Sequence, residues 1–256
     1  PRPRGRWTSR GRCARRCSVR TDTRSRAEQL IARNTQPGKT DSLTYQLLRS
    51  RLQLTFEDTS GMALKRFRAE IGQDPTSEPA RYGLGLALTR ARQFDEADKV
   101  LHELARQSPD NLFYSLALID LDISRGHLGK AEQKLEQALQ KNPSSYPLKA
   151  ARADLLNRQQ RYQEAEQQLE QLLKSRPNDP DLWYDLAEVR GQVNNIIGLH
   201  QARAEFFARV GDYEQAVEQL GHAKRRASNN YPLAARIDAR QLELMNEEQA
   251  IKEMFK

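Results

Sequence analysis

The chain has 256 residues, 38% of them hydrophobic, and a net charge of +8. That charge is concentrated: ten Arg against Asp22 within residues 1–26 give +9, so the other 230 residues sum to −1. The basic balance is therefore no argument for nucleic-acid binding by the bulk of the chain. No apolar run approaches the roughly 18 residues a membrane-spanning helix needs, and no β-branched alternation persists, so the pattern excludes transmembrane and sheet classes and points to all-α.

Residues 1–20, PRPRGRWTSRGRCARRCSVR, cannot bury a core and are expected to form a disordered basic tail. Three readings of it stand side by side. It is a solvated tail, or an arm for phosphate-bearing partners with Trp7 as a stacking ring, or a segment read in a non-native frame of GC-rich DNA. Cys13 and Cys17 lie in this tail without a second pair or a nearby His, so no zinc site is expected there. The start lacks the apolar core of a signal peptide and opens on Pro1, so the chain is expected to be a fragment of a longer protein. Residues 21–43 read as a short amphipathic helix over 24–33 and a turn-rich linker, with Asp41 or Ser42 capping the next helix.

A repeat then begins. Pro75, Pro109, Pro143 and Pro177 recur every 34 residues. So do Ala63, Ala97, Ala131 and Ala165, and so do Phe67, Leu101, Leu135 and Leu169. Each unit reads as two short helices and a turn, ended by a proline that cannot continue the helix. Gly83 and Gly85 mark places where a neighbour must come close. A 34-residue helix–turn–helix period with a small-residue column and a terminal proline is the tetratricopeptide signature. It predicts an α-solenoid, a right-handed superhelix of antiparallel helix pairs, with four units over residues 44–179.

After Asp179 the register breaks. Residues 181–191 make a good first helix, but Arg203 stands where the column demands Leu and Gly211 where it demands Pro. The helix at about 196–210 is therefore expected to partner 181–191 and also to open the next pair. Residues 180–256 read as a degenerate pair followed by a charged capping helix from Pro232 to about Met254.

Chemistry-bearing motifs do not emerge. HExxH, GxSxG, GxxxxGK and GxGxxG are all missing from the sequence, and His102, His127, His200 and His222 read as solvated or capping residues. No catalytic or metal-binding residue is assigned.

The stretches at 81–97, 183–191, 200–220 (HQARAEFFARVGDYEQAVEQL) and 235–245 together resemble the C-terminal repeat region of periplasmic zinc metalloproteases of the β-barrel assembly-enhancing type. The likeness runs from about Thr21 to the end. It implies a non-catalytic module that docks protein or peptide partners, outer-membrane β-barrel proteins and their assembly machinery among them. It also implies a periplasmic location and a zinc-bearing peptidase domain upstream in the full-length protein, with no cofactor in this chain. Two alternatives stay open: a free-standing adaptor, or a helical-repeat nucleic-acid binder working through the Arg-rich tail.

The repeat class further implies that first helices line a concave side, through positions near 2, 5, 9 and 12 of each unit. The groove candidates are Tyr82, Leu86 and Thr89 in the second unit, and Phe113, Leu116, Asp120 and Ile123 in the third. Asp154 and Asn157 follow in the fourth, and Tyr184 and Glu188 in the fifth. Such a groove is apolar and aromatic with some acids, suited to an extended peptide or a partner helix.

Overall fold

The computed structural model describes residues 42–254. The basic tail, both cysteines and the amphipathic stretch at 24–33 lie outside the described residues. Among the described residues there are helices and turns and no strand. The helices are α1 (Leu43–Phe56), α2 (Ser60–Gln73), α3 (Glu78–Arg90), α4 (Phe94–Gln107), α5 (Leu112–Arg125) and α6 (Leu128–Lys141). They continue as α7 (Tyr146–Arg158), α8 (Tyr162–Ser175), α9 (Pro180–Gln192), α10 (Ile196–Arg209), α11 (Tyr213–Arg226) and α12 (Tyr231–Met254). Leu47–Lys256 forms one compact unit. The other unit, Pro1–Gln46, contributes to the described residues only the start of α1, where Ser42 Oγ accepts from the Tyr45 N–H at 3.3 Å.

Local chemistry sets the helix boundaries. Three of the first helices open on side-chain caps: Ser77 accepts from Ala80 N, Asn111 from Phe113 N and Asp179 from Asp181 N. Second helices close on a residue that has left helical geometry: Asp74, Ser108, Asn142 and Arg176 have φ between −140° and −133°. Each stands directly before one of the periodic prolines, whose ring disfavours helical backbone at the preceding position. From the second pair onward the turn inside the pair holds a left-handed residue. Arg92, Gly126, Gln160 and Asn194 fill that position, 34 residues apart, with φ of 62°, 86°, 62° and 60°.

Packing follows the same period. Ala63, Ala97, Ala131 and Ala165 are all fully buried, and Phe67, Leu101, Leu135 and Leu169 are no more than 2% exposed. The two early glycines make this possible. A Cβ on Gly83 would come within 2.6 Å of three carbons of the Phe67 ring, and one on Gly85 within 2.8 Å of two carbons of Leu101. Helix α3 therefore lies close enough for the large side chains of α2 and α4 to rest on its backbone. In α1, Leu47 is buried whereas Leu48, Leu52 and Phe56 face solvent.

The C-terminal part halves the repeat. Left-handed Gly211 follows Asn194 after seventeen residues, half of the 34-residue spacing. As a result α10 packs extensively both on α9 before it and on α11 after it. Helix α12 then covers α11, burying Ile237 and Leu244 in a cluster with Ala204, Ala216 and Leu220. Across this seam His200 departs from the solvated reading. It is half-buried, its Nδ1 lies 2.9 Å from Gln219 Oε1, and its ring stacks on His222 at 5.1 Å.

Two substitutions test this account. Gly83→Ala is expected to lower the denaturant midpoint. Overpacking against Phe67 costs about 1–3 kcal/mol, more than the roughly 1 kcal/mol that alanine gains over glycine in a helix. A rise in the midpoint would refute the close packing. Gln160→Gly is expected to raise the unfolding free energy by about 0.5–1 kcal/mol. Relief of left-handed strain, roughly 1–2 kcal/mol, exceeds the unfolded-chain entropy that glycine adds. Urea unfolding of the two variants beside the parent reads both outcomes.

Candidate partner-binding groove

Four first helices, α1, α3, α5 and α7, stand side by side, with α3 touching α5 and α5 touching α7. Their facing sides enclose an open cleft of about 350 Å³. Its apolar floor is Leu54, Leu86 and Ile123, and its walls carry Arg51, Arg90, Asp120, Asp154 and Arg158 with the hydroxyls of Thr55, Thr89 and Ser124. Five of the eleven groove candidates thus meet in one place: Leu86, Thr89, Asp120, Ile123 and Asp154.

The other six sit differently. Tyr82 is fully buried, its ring packed against Phe113 at 6.1 Å and Tyr114 at 5.8 Å, so it offers no ring surface to a partner. Phe113 is half-buried beside it, and Leu116 belongs to the core with Ile119, Ala131 and Leu135. Asn157 is half-buried outside the cleft lining. Tyr184 packs its edge on Phe206 of α10 at 5.6 Å, and Glu188 is exposed on α9.

The charges of the cleft are arranged across helices. Arg51 Nη2 reaches from α1 over α3 to Asp120 Oδ2 on α5 at 3.5 Å. Arg158 Nε pairs with Asp154 Oδ2 one turn earlier on α7, at 2.9 Å. Arg90 Nη1 donates to two carbonyls at the end of α1, Leu54 O at 2.7 Å and Glu57 O at 3.1 Å, where a helix C-terminus attracts a cation. Thr89 satisfies its hydroxyl on Gly85 O at 2.9 Å. Asp122, two residues beyond Asp120 and buried, belongs to another pair, with Lys134 Nζ at 2.7 Å.

Two groups are electrostatically displaced. The Asp120 side chain keeps 38% of its surface accessible, yet protein crowds it on the cleft wall. Burial pushes its carboxyl up to about 6, with Asp154 adding in the same direction against the pull of Arg51 and Arg158. Burial also raises the Tyr82 phenol, whose hydroxyl lies beside Arg51 and finds no partner at hydrogen-bond geometry.

The three arginines of the cleft escaped the sequence reading. Arg90 and Arg158 occupy the thirteenth position of their units, one turn beyond the ninth, so carrying the candidate stripe one turn further would have found them. Arg51 has no such signal, because its unit opens atypically.

Comparison with known proteins bears on the fold. Tetratricopeptide-repeat family models match residues 79–111 and 122–189. Residues 79–111 and 122–189 thus carry tetratricopeptide repeats, in keeping with the helical solenoid. The chain's curated relatives are β-barrel assembly-enhancing proteases. The Yersinia pestis protein is 26% identical over 66% of this chain and 35% of its own length. The Escherichia coli K12 protein is 31% identical over 63% of this chain and 33% of its own length. The chain thus spans about a third of these relatives. Among solved structures, Pseudomonas aeruginosa pilF superposes with a TM-score of 0.51 at 16% identity, over 82% of this chain and 96% of that one, a likeness of fold. Among the described residues no helix is long and apolar enough to cross a membrane. Nor do the described residues bring together three or more His, Cys, Asp or Glu that could hold a metal ion.

The sign of the Asp120 effect is open to test. Its folded value near 6 lies above the ordinary carboxyl value of 3.8, so the fold favours the neutral form. Stability held at low pH is lost as pH rises from about 4 through 6. Carbon-13 NMR of the Asp120 carboxyl is expected to give a midpoint near 6. Asp120→Asn is expected to flatten the stability profile in that interval, and a midpoint near 4 would refute the burial argument.

Proposed function

We propose that the cleft between α1, α3, α5 and α7 docks an extended segment of a partner protein. What supports this reading is one observation: four helices from four successive units present an apolar floor with charged walls in a single open cleft. A trough of that kind offers an extended chain burial for alternate side chains and polar contacts at its edges.

The relatives give the setting. In this reading the chain is the docking part of a longer protein of the β-barrel assembly-enhancing protease kind, working in the periplasm on outer-membrane β-barrel proteins and their assembly machinery. A zinc peptidase domain in the same polypeptide carries out hydrolysis, and the solenoid holds the substrate or partner. The reading assigns the described helices no catalytic role.

The test uses fifteen-residue peptides tiled across an outer-membrane β-barrel protein, labelled for fluorescence anisotropy. Some are expected to bind the chain at micromolar concentrations. Ser124→Trp and Thr55→Trp place large rings in the cleft from exposed positions. Each is expected to weaken binding at least tenfold with an unchanged melting curve, while Gln133→Trp, exposed on α6, leaves binding intact. Binding unaffected by both cleft variants would overturn the assignment of the site.

A further inference from the structure

The cleft is not neutral. Arg51, Arg90 and Arg158 face Asp120 and Asp154, leaving one positive charge over. The three cations are also held unequally. Arg90 is fixed by two α1 carbonyls, and Arg158 by a close carboxylate on its own helix. Arg51 is held by a longer contact, 3.5 Å, to a carboxylate two helices away, and both partners of that pair keep solvent access. Beneath them the Tyr82 hydroxyl is buried without an acceptor.

We propose that an extended partner segment enters this cleft through an acidic side chain, which takes Arg51 from Asp120 while Asp120 takes up a proton from solvent. The inference rests on the docking reading and names the partner chemistry that reading leaves open. The balance is simple. The ligand carboxylate replaces the Asp120 carboxylate at the guanidinium, and the displaced carboxyl becomes neutral, so no carboxylate is left unpaired and the net charge of the cleft is unchanged.

The groups facing Asp120 make this exchange possible. They are Arg51 from α1, Tyr82 and Arg90 from α3, and Asp154 and Arg158 from α7. Burial and Asp154 already favour its neutral form, and only the two arginines oppose them. With Arg51 turned to a ligand, the larger of those opposing attractions is gone, and protonation extends toward neutral pH. A cationic segment is disfavoured. It would have to take Asp120 or Asp154 from its arginine and leave two guanidinium groups facing each other across a narrow space.

Isothermal titration calorimetry of the full chain with twin ten-residue peptides tests the proposal. Both alternate valine and threonine, and they differ only in a central Glu or Gln. At pH 6.5 the Glu peptide is expected to bind about tenfold tighter, as a charge-assisted hydrogen bond warrants. Its binding heat is expected to vary with buffer ionisation enthalpy, showing uptake of a substantial fraction of a proton per peptide, since Asp120 with a midpoint near 6 is already partly protonated in the free chain, and its affinity is expected to fall between pH 6.5 and 7.5. Asp120→Asn, close to isosteric, is expected to tighten Glu-peptide binding and abolish the proton uptake. Arg51→Gln is expected to bring the Glu peptide down to the level of its twin. Equal affinity for the twins, or Glu-peptide binding without proton uptake, would overturn this proposal and leave the docking reading standing. Failure of both twins to bind would overturn it together with that reading.

Discussion

Nothing in this fold is stable alone, because each helix pair buries its apolar stripe only against the next pair. The columns of Ala63, Ala97, Ala131 and Ala165, and of Phe67, Leu101, Leu135 and Leu169, are where that dependence is concentrated. Alanine lets two helices approach, and the large residue one turn later fills the space the approach creates. Gly83 and Gly85 carry the same logic further, with the Phe67 and Leu101 side chains lying on bare backbone. The constraint is local and repeated, so it extends along the chain without a central core, and it fixes how far apart successive first helices stand. That spacing sets the width of the groove.

Much of the architecture was legible because it is encoded in residues with strict backbone demands. The periodic prolines mark the ends of α2, α4, α6 and α8, since a proline disfavours helical backbone before it and has no N–H to extend the helix. The caps Ser77, Asn111 and Asp179, which secure the starts of α3, α5 and α9, were not read in advance. The left-handed turn is harder to read. Gly126 and Gly211 signal it, but Arg92 and Gln160 adopt the same conformation without any compositional hint. There the surrounding pair geometry imposes a backbone state that the side chain disfavours.

The groove was less legible than the fold, for a physical reason. A position pattern states which way a side chain points on its helix, and says nothing about how deep it lies once neighbours are added. Tyr82 and Leu86 share one stripe of α3, yet Tyr82 is sealed by Phe113 and Tyr114 while Leu86 floors an open cleft. Long cations escape a pattern altogether, because their charged ends lie far from their own Cα. Arg51 acts at α5, two helices from where it is attached. The pairing of His200 with His222 across α10 and α11 depends likewise on the half-repeat, which brings together two helices that a regular period would have kept in separate roles.

The half-repeat also bears on how the solenoid ends. A regular array must finish on a unit whose outer face tolerates water. Here α10 is shared between two neighbours, and the long α12 closes the stack through Ile237 and Leu244. Arg240 joins the closing helix back to Glu205 of α10 at 2.7 Å and to Glu243 and Glu247 of its own surface. The closing contacts thus combine a small apolar cluster with a carboxylate-rich network around one arginine. Both elements pull α12 onto the preceding pair and leave its far side polar. The cleft at α1 to α7 lies in the regular part of the array, where unit spacing is uniform. The irregular packing is confined to α9 through α12, so closing the solenoid does not alter the geometry that shapes the groove.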